Sequence, residues 1–297
     1  MLAALSLGLA VPAAASEPIR LAPITPWNLH YGDNSCRLGR LFGSAAKPTT
    51  LLLQRLSPGD TMSLLVAGGE MKAREGRGEA TVQLLPVADL SFEAGSVAQT
   101  AKTKEPAILW SSIGLRKETP ERLEELRRQP EAPERRPDLE TAARAEEEAN
   151  AKRITGFAVR EPGGRTVILE TGPLGRANAM MRDCARQQLI SWGVDPVIQD
   201  KIVKPARTTS LVKLFSSNDY PKSAIFRGEQ SIIQARLNIG ADGRVTNCTS
   251  LTFFEAPGFA EVVCKKLRRA RYTPAELADG TKVATYDMAT IRFVMPD

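Results

Sequence analysis

The chain has 297 residues, 42% of them hydrophobic and 25% charged, the usage of a folded protein with room for more than one core. A formal net charge of +6 is mild for this length and does not by itself point to nucleic acid. With four cysteines, a single histidine and no Cys-x-x-Cys pair, the residues of a zinc site are missing.

The chain opens with an apolar segment, Leu2 to Ala15, that is too short to span a bilayer and ends in Ala13-Ala14-Ala15-Ser16. Small residues there resemble a signal-peptidase site, so residues 1–16 are expected to be a signal peptide and the remainder exported to the periplasm; left uncleaved, the segment would be an inner-membrane anchor. A first α+β domain is expected over 17–193. Its strands are read at Trp27 to Tyr31, Leu51 to Leu56, Met62 to Ala67, Thr81 to Pro86 and Ala107 to Ile113, with Ser57-Pro58-Gly59-Asp60 as a reversal.

Residues 116–153 mix both charge signs around Pro120, Pro130, Pro133 and Pro137. Short helices over Glu121 to Arg128 and Leu139 to Lys152 fit the i to i+4 charge spacing, and the section reads as a solvated surface insertion. A hairpin follows, Ile154 to Val159 and Thr166 to Leu169 about the turn Glu161-Pro162-Gly163-Gly164. Leu174, Ala177, Met181, Ala185, Leu189 and Trp192 then recur at helical spacing up to Gly193. Residues 194–215 carry Asp195-Pro196, Lys204-Pro205 and little periodicity, and read as a short linker.

The last quarter has the clearest pattern. Ile233, Ala235, Leu237 and Ile239 alternate up to Asp242-Gly243, a hairpin signal, and a second strand runs from Val245 to Leu251. A parity slip between Val245 and Cys248 predicts a β-bulge. After Glu255-Ala256-Pro257-Gly258 the period changes, and Phe259, Val262, Val263, Leu267 and Ala270 form one helical stripe. Ala289, Ile291 and Phe293 close the chain as a third strand.

This order, with Tyr220-Pro221 in front, Asp242-Gly243-Arg244-Val245 in the turn and Arg268-Arg269-Ala270-Arg271-Tyr272-Thr273-Pro274 after the helix, resembles the C-terminal domain of the TonB family over residues 216–297. The resemblance implies an antiparallel three-stranded sheet with a covering helix. It also implies a protein or peptide partner, such as a segment of an outer-membrane receptor, added as an extra strand to the edge of the last strand. Carried over by position, the partner-binding candidates are Asp287, Met288, Thr290 and Arg292 on that strand and Ser217, Asn218, Asp219 and Tyr220 before the sheet. Pairing of two copies through the same edge would give a homodimer.

The expected function is therefore a periplasmic envelope binding or scaffold protein. The alternative is a TonB-type energy transducer, which needs an anchor and a long spacer. In an oxidising compartment the cysteines are expected to pair within each half, Cys36 with Cys184 and Cys248 with Cys264. No cofactor or catalytic residue is expected. The competing enzyme reading, an envelope serine hydrolase, rests on Ser44-Ala45-Ala46-Lys47, which fits Ser-x-x-Lys but lacks Ser-Asp-Asn and Lys-Thr-Gly. His30, the sole imidazole, is expected at a strand end in a structural role. The basic run Lys265, Lys266, Arg268, Arg269 and Arg271 reads as a solvated helix face near a helix C-terminus.

Overall fold

The computed structural model describes residues 17–74, 76, 78–100, 103–117, 137–208, 211–251 and 258–295. The expected signal peptide, the helix Glu121 to Arg128 and the turn residues Glu255 to Pro257 lie outside the described residues.

Ten strands build the N-terminal sheet: β1 (Ile19–Leu21), β2 (Asn28–Gly32), β3 (Ser35–Ser44), β4 (Lys47–Arg55), β5 (Thr61–Gly68), β6 (Ala80–Leu85), β7 (Ser91–Gln99), β8 (Pro106–Gly114), β9 (Gly156–Arg160) and β10 (Thr166–Glu170). Their order is β1-β10-β9-β6-β7-β8-β5-β4-β3-β2, and every pair is antiparallel except β1 with β10. The sheet curls until its ends meet. Just past β1, Ile24 donates its N–H to Leu41 O, and the Gly43 N–H is accepted by Ala22 O, each at 2.9 Å.

Alternate residues of these strands, among them Leu38, Phe42, Leu51, Leu53, Leu64 and Val66, point into the curl and are buried. Helix α1 (Pro137–Arg153) packs on α2 (Gly175–Ser191), and α2 with its N-cap Leu174 fills the curl, through Ala177, Met181 and Ala185. Cys184 on α2 is bonded to Cys36 on β3, with Cα atoms 6.0 Å apart, which is the expected pairing.

The described end of the charged section, α1, departs from its reading as a solvated insertion at two positions. Glu147 and Ala151 of α1 are fully buried. The Glu147 carboxylate accepts from Arg55 Nη2 at 2.8 Å and from Arg182, and Arg55 Nη2 also donates to Asn178 Oδ1 at 3.0 Å. An ion needs partners to sit in a core, and this one has two cations.

Residues 194–215 are likewise more than a linker. They form α3 (Pro196–Asp200), capped by the Asp195 carboxylate, and β11 (Ile202–Lys204), which pairs with β14 (Ala275–Leu277) beside β15 (Lys282–Val283). Arg207 and Thr273 then exchange backbone hydrogen bonds at 3.0 and 2.7 Å.

The remaining elements are α4 (Lys222–Arg227), β12 (Ser231–Ile239), β13 (Val245–Ser250), α5 (Phe259–Leu267) and β16 (Thr285–Phe293), with sheet order β13-β12-β16. This is the expected α+β arrangement of a three-stranded sheet under a helix, and Ile233, Ala235, Leu237 and Ile239 meet Phe259, Val263 and Leu267 in one core. The expected bulge is present: Asn238 pairs with Asn247 and Ile239 with Val245, leaving Thr246 extra. Gly243 has φ +77°, and a Cβ there would lie 2.0 Å from Tyr272 O, so only glycine lets the turn meet the loop after α5. Cys248 on β13 is bonded to Cys264 on α5, as expected, across a separation of 16 residues.

Candidate functional site

The last strand lies at the edge of its sheet, and backbone geometry decides what that edge offers. Leu251 donates its N–H to Gln234 O at 2.8 Å, so the even-numbered residues of β12 turn their peptide groups toward β13 and the odd-numbered ones toward β16. Their partners Thr285, Asp287, Ala289 and Ile291 bond inward. Tyr286, Met288, Thr290 and Arg292 therefore aim N–H and C=O away from the sheet, and among the described residues no strand pairs with that side.

The Met288 N–H is taken by its neighbour's carboxylate, Asp287 Oδ1, at 2.8 Å. The groups left on the rim are the Met288 carbonyl and both backbone groups of Thr290 and Arg292, whose side chains are exposed.

Asp287 and Tyr220 do not belong to this rim. The Asp287 side chain points to the helix side of the sheet, where it accepts the Tyr272 hydroxyl at 2.8 Å. Burial pushes the Asp287 carboxyl above its ordinary range, with the bonds from Tyr272 and the Met288 N–H opposing; burial and then Asp287 push the Tyr272 phenol up. The Tyr220 ring stands edge-on to Phe259 and to Phe293, each 5.5 Å between centroids, and its hydroxyl donates to Glu229 O at 2.6 Å. Its role is to pin the domain's entry to the core. Ser217, Asn218 and Asp219 form a 3-10 turn beside α5, where Lys266 bonds Asp219 at 2.6 Å and holds its carboxyl below the usual range. The candidates thus divide into a rim set and a helix-side set.

Sequence reasoning missed the residues that fix the rim in place. On the sheet's outer face, Arg236 is 5% exposed, with its guanidinium 4.2 Å from the Trp192 ring centroid and Nη1 donating to Asn34 Oδ1 at 3.1 Å. Burial lowers the Arg236 pKa, and the ring face takes the place of a carboxylate. Asn238 Nδ2 donates to Trp192 O at 2.7 Å, and Tyr286 stands edge-on to Trp192 at 5.4 Å. Gln199 of α3 donates to Ala284 O and accepts from the Thr285 hydroxyl. The N-terminal half thus covers the face of the sheet near the start of β16, and among the described residues none pairs with the rim beyond it. The available signal was two polar residues, Arg236 and Asn238, alternating on the face opposite an apolar one.

Ser44 and Lys47 close the β3–β4 hairpin as an exposed pair, and the Ser44 hydroxyl oxygen accepts the Lys47 backbone N–H at 3.3 Å. The hydrolase reading draws no support from this geometry, in which the Ser44 hydroxyl meets the Lys47 backbone and not its amine. His30 is exposed and pairs with Arg37 on β3, seven residues and therefore about 24 Å from Ser44. Among the described residues no group of three His, Cys, Asp or Glu could hold a metal ion, and no helix is long and apolar enough to cross a membrane.

Residues 216–295 match the family described as Gram-negative bacterial TonB protein C-terminal. The C-terminal domain belongs to the TonB C-terminal family. That family is not one of enzymes and is one of cell-envelope proteins that interact with protein partners. No curated protein matches the chain.

Proposed function

We propose that this chain is a periplasmic binding or scaffold protein whose TonB-type domain takes an extended peptide by strand addition along β16. The observation that carries the reading is the unpaired rim at Thr290 and Arg292 on a strand held rigidly from its other side. Main-chain hydrogen bonds on such a rim supply affinity, and alternate side chains of the guest supply selectivity. An outer-membrane receptor segment is the natural guest for this family, and two copies meeting rim to rim would exclude it.

The same reading favours holding over energy transduction. The stretch between the two cores is folded into β11 and bonded to β14, so it supplies no extended spacer.

Paired proline substitutions test the proposal. Thr290→Pro removes an outward N–H and leaves the ladder to β12 whole, so the domain stays folded while the rim is blocked. Ala289→Pro removes an inward bond and unfolds the domain. Hydrogen exchange in the presence of a receptor peptide should slow at the Thr290 and Arg292 amides in the parent, and the Arg292 amide should not slow in Thr290→Pro, which has no amide proton at position 290. Slowing at neither amide in the parent would overturn the assignment.

A further inference from the structure

The two faces of the C-terminal sheet meet different things. Its outer face receives Trp192 through Arg236 and Asn238, as described. Its inner face lies under two helices: α5, and α4, whose Ala224 is fully buried in the same core. A helix turns about 100° per residue, so Phe226, two positions after Ala224, points nearly straight away from the sheet. It is 89% exposed, more than any other large hydrophobic residue described, and Ile225 beside it is 46% exposed. Lys222 stands one turn earlier on the same side as Phe226. The Asp219–Lys266 ion pair and the packing of Pro221 beside Gly258 hold the entry to α4 along α5.

The outer surface of this helical layer is cationic. Lys265, Arg268, Arg269 and Arg271 are exposed, and none has an ion-pair partner among the described residues. The nearby carboxylates Asp219, Glu229 and Asp242 are engaged by Lys266, Arg227 and Arg244, which leaves Glu261 as the acid of α5. The dipole of α5 accounts for Lys265 and Lys266 in its last turn. It does not account for Arg268, Arg269 and Arg271 past the helix end, or for an outward phenylalanine on a second helix.

We propose that this helical face rests on an anionic phospholipid surface, with Phe226 entering the boundary between headgroups and acyl chains and the cations lying over the phosphates. Interfacial binding combines an outward apolar side chain with basic residues on the same surface, and Phe226 with Lys222 on α4 and the exposed cations of the α5 side supply both. A soluble polyanion would engage the cations and leave Phe226 idle. The described residues of the N-terminal half dock on the opposite face, so lipid contact needs no change in the docking at Trp192. This assignment is independent of strand addition at β16.

The test uses the full chain in flotation with vesicles of phosphatidylcholine alone or with added phosphatidylglycerol. Binding should appear with phosphatidylglycerol and weaken with salt. Each of Lys265→Glu, Arg268→Glu and Arg269→Glu should lower partitioning by about fivefold or more, the worth of roughly one basic residue near such a surface. Phe226→Ser should lower it by about tenfold, and in Phe226→Trp the new indole emission should shift blue on vesicles. All these positions are exposed, and an unchanged melting temperature confirms the fold of each variant. Absence of phosphatidylglycerol-dependent binding would overturn the proposal. So would binding that Phe226→Ser leaves intact and dextran sulfate fully displaces, since that is the behaviour of a polyanion site.

Discussion

Replacing Glu147 by alanine probes the ion cluster that joins α1 to the N-terminal sheet. The side chains of Glu147 and Arg55 are 0% and 1% exposed, so neither charge can turn to water when its partner is lost. Arg55 keeps neutral acceptors, Gly59 O and Asn178 Oδ1, and Arg182, at 19%, can still reach solvent. The cost is therefore governed by Arg55: burial already lowers its pKa, and Glu147 is the chief influence opposing that shift. Stranding one member of a buried pair costs about 3–5 kcal/mol.

For a body of this size each kcal/mol moves the melting temperature by about 2–4 °C, so Glu147→Ala should melt roughly 6–20 °C lower. Near-UV circular dichroism of the buried Trp110, with the disulfides kept oxidised, follows the N-terminal core itself. The double variant Arg55→Met/Glu147→Leu should recover most of the loss, because the one cation left, Arg182, reaches solvent and no fully buried charge remains. A loss below about 1 kcal/mol in Glu147→Ala, the range of a solvated pair, would refute the argument.

Trp192→Ala should cost about 3–5 kcal/mol of interdomain docking through lost packing and an uncovered Arg236, with each core still folded, seen as a larger radius of gyration and faster proteolysis between the cores. Asp287→Asn should alter the pH dependence of stability. The folded state raises the Asp287 pKa, so it binds the proton more tightly than the unfolded chain, and the parent gains stability relative to the variant as pH falls through that raised value toward the ordinary carboxylate value. Urea titrations showing a parent–variant gap that does not change with pH would contradict this sign. Replacing Cys248 and Cys264 with serine should destabilise the C-terminal domain by about 3 kcal/mol, the entropy of closing so short a loop, in denaturant melts under non-reducing conditions.

How much of this was legible in the residues depends on how locally each element is stabilised. β12, α5 and the bulged β13 were readable because each buries one face on a single period, and the Asp242-Gly243 turn has its own chemistry. β3 was not, because Gly39 and Arg40 interrupt the alternation of Cys36, Leu38 and Phe42; Arg40 instead reaches Thr25 O and Thr171 O. β7 was hidden for a related reason: its buried position is Gly95, where a Cβ would lie 2.5 Å from the Trp110 ring, so the hydrophobic mass belongs to the neighbouring strand. Glu147 looked like any residue of a charged run, since its partners come from positions 92 and 35 residues away. The rim itself followed from the order of strands, and the alternation of Ala289, Ile291 and Phe293 already turns Asp287 inward; what stayed hidden was its partner there, Tyr272, which only the folded loop brings near.

What the chain adds to a bare TonB-type domain is a fixed posture for the edge strand. A lone three-stranded sheet under one helical layer would expose its opposite face as well as its rim, and two accessible surfaces make for weak selectivity. Here Trp192 occupies that opposite face, and Gln199 holds the residues where β16 begins. The backbone that the proposed guest would meet is shortened to the stretch from Met288 onward, and the Asp287 carboxylate has already taken the first N–H. A short rim gives few hydrogen bonds, so on the proposal of strand addition the affinity of a guest would come largely from side chains lying beside Thr290 and Arg292, and those positions would decide partner choice.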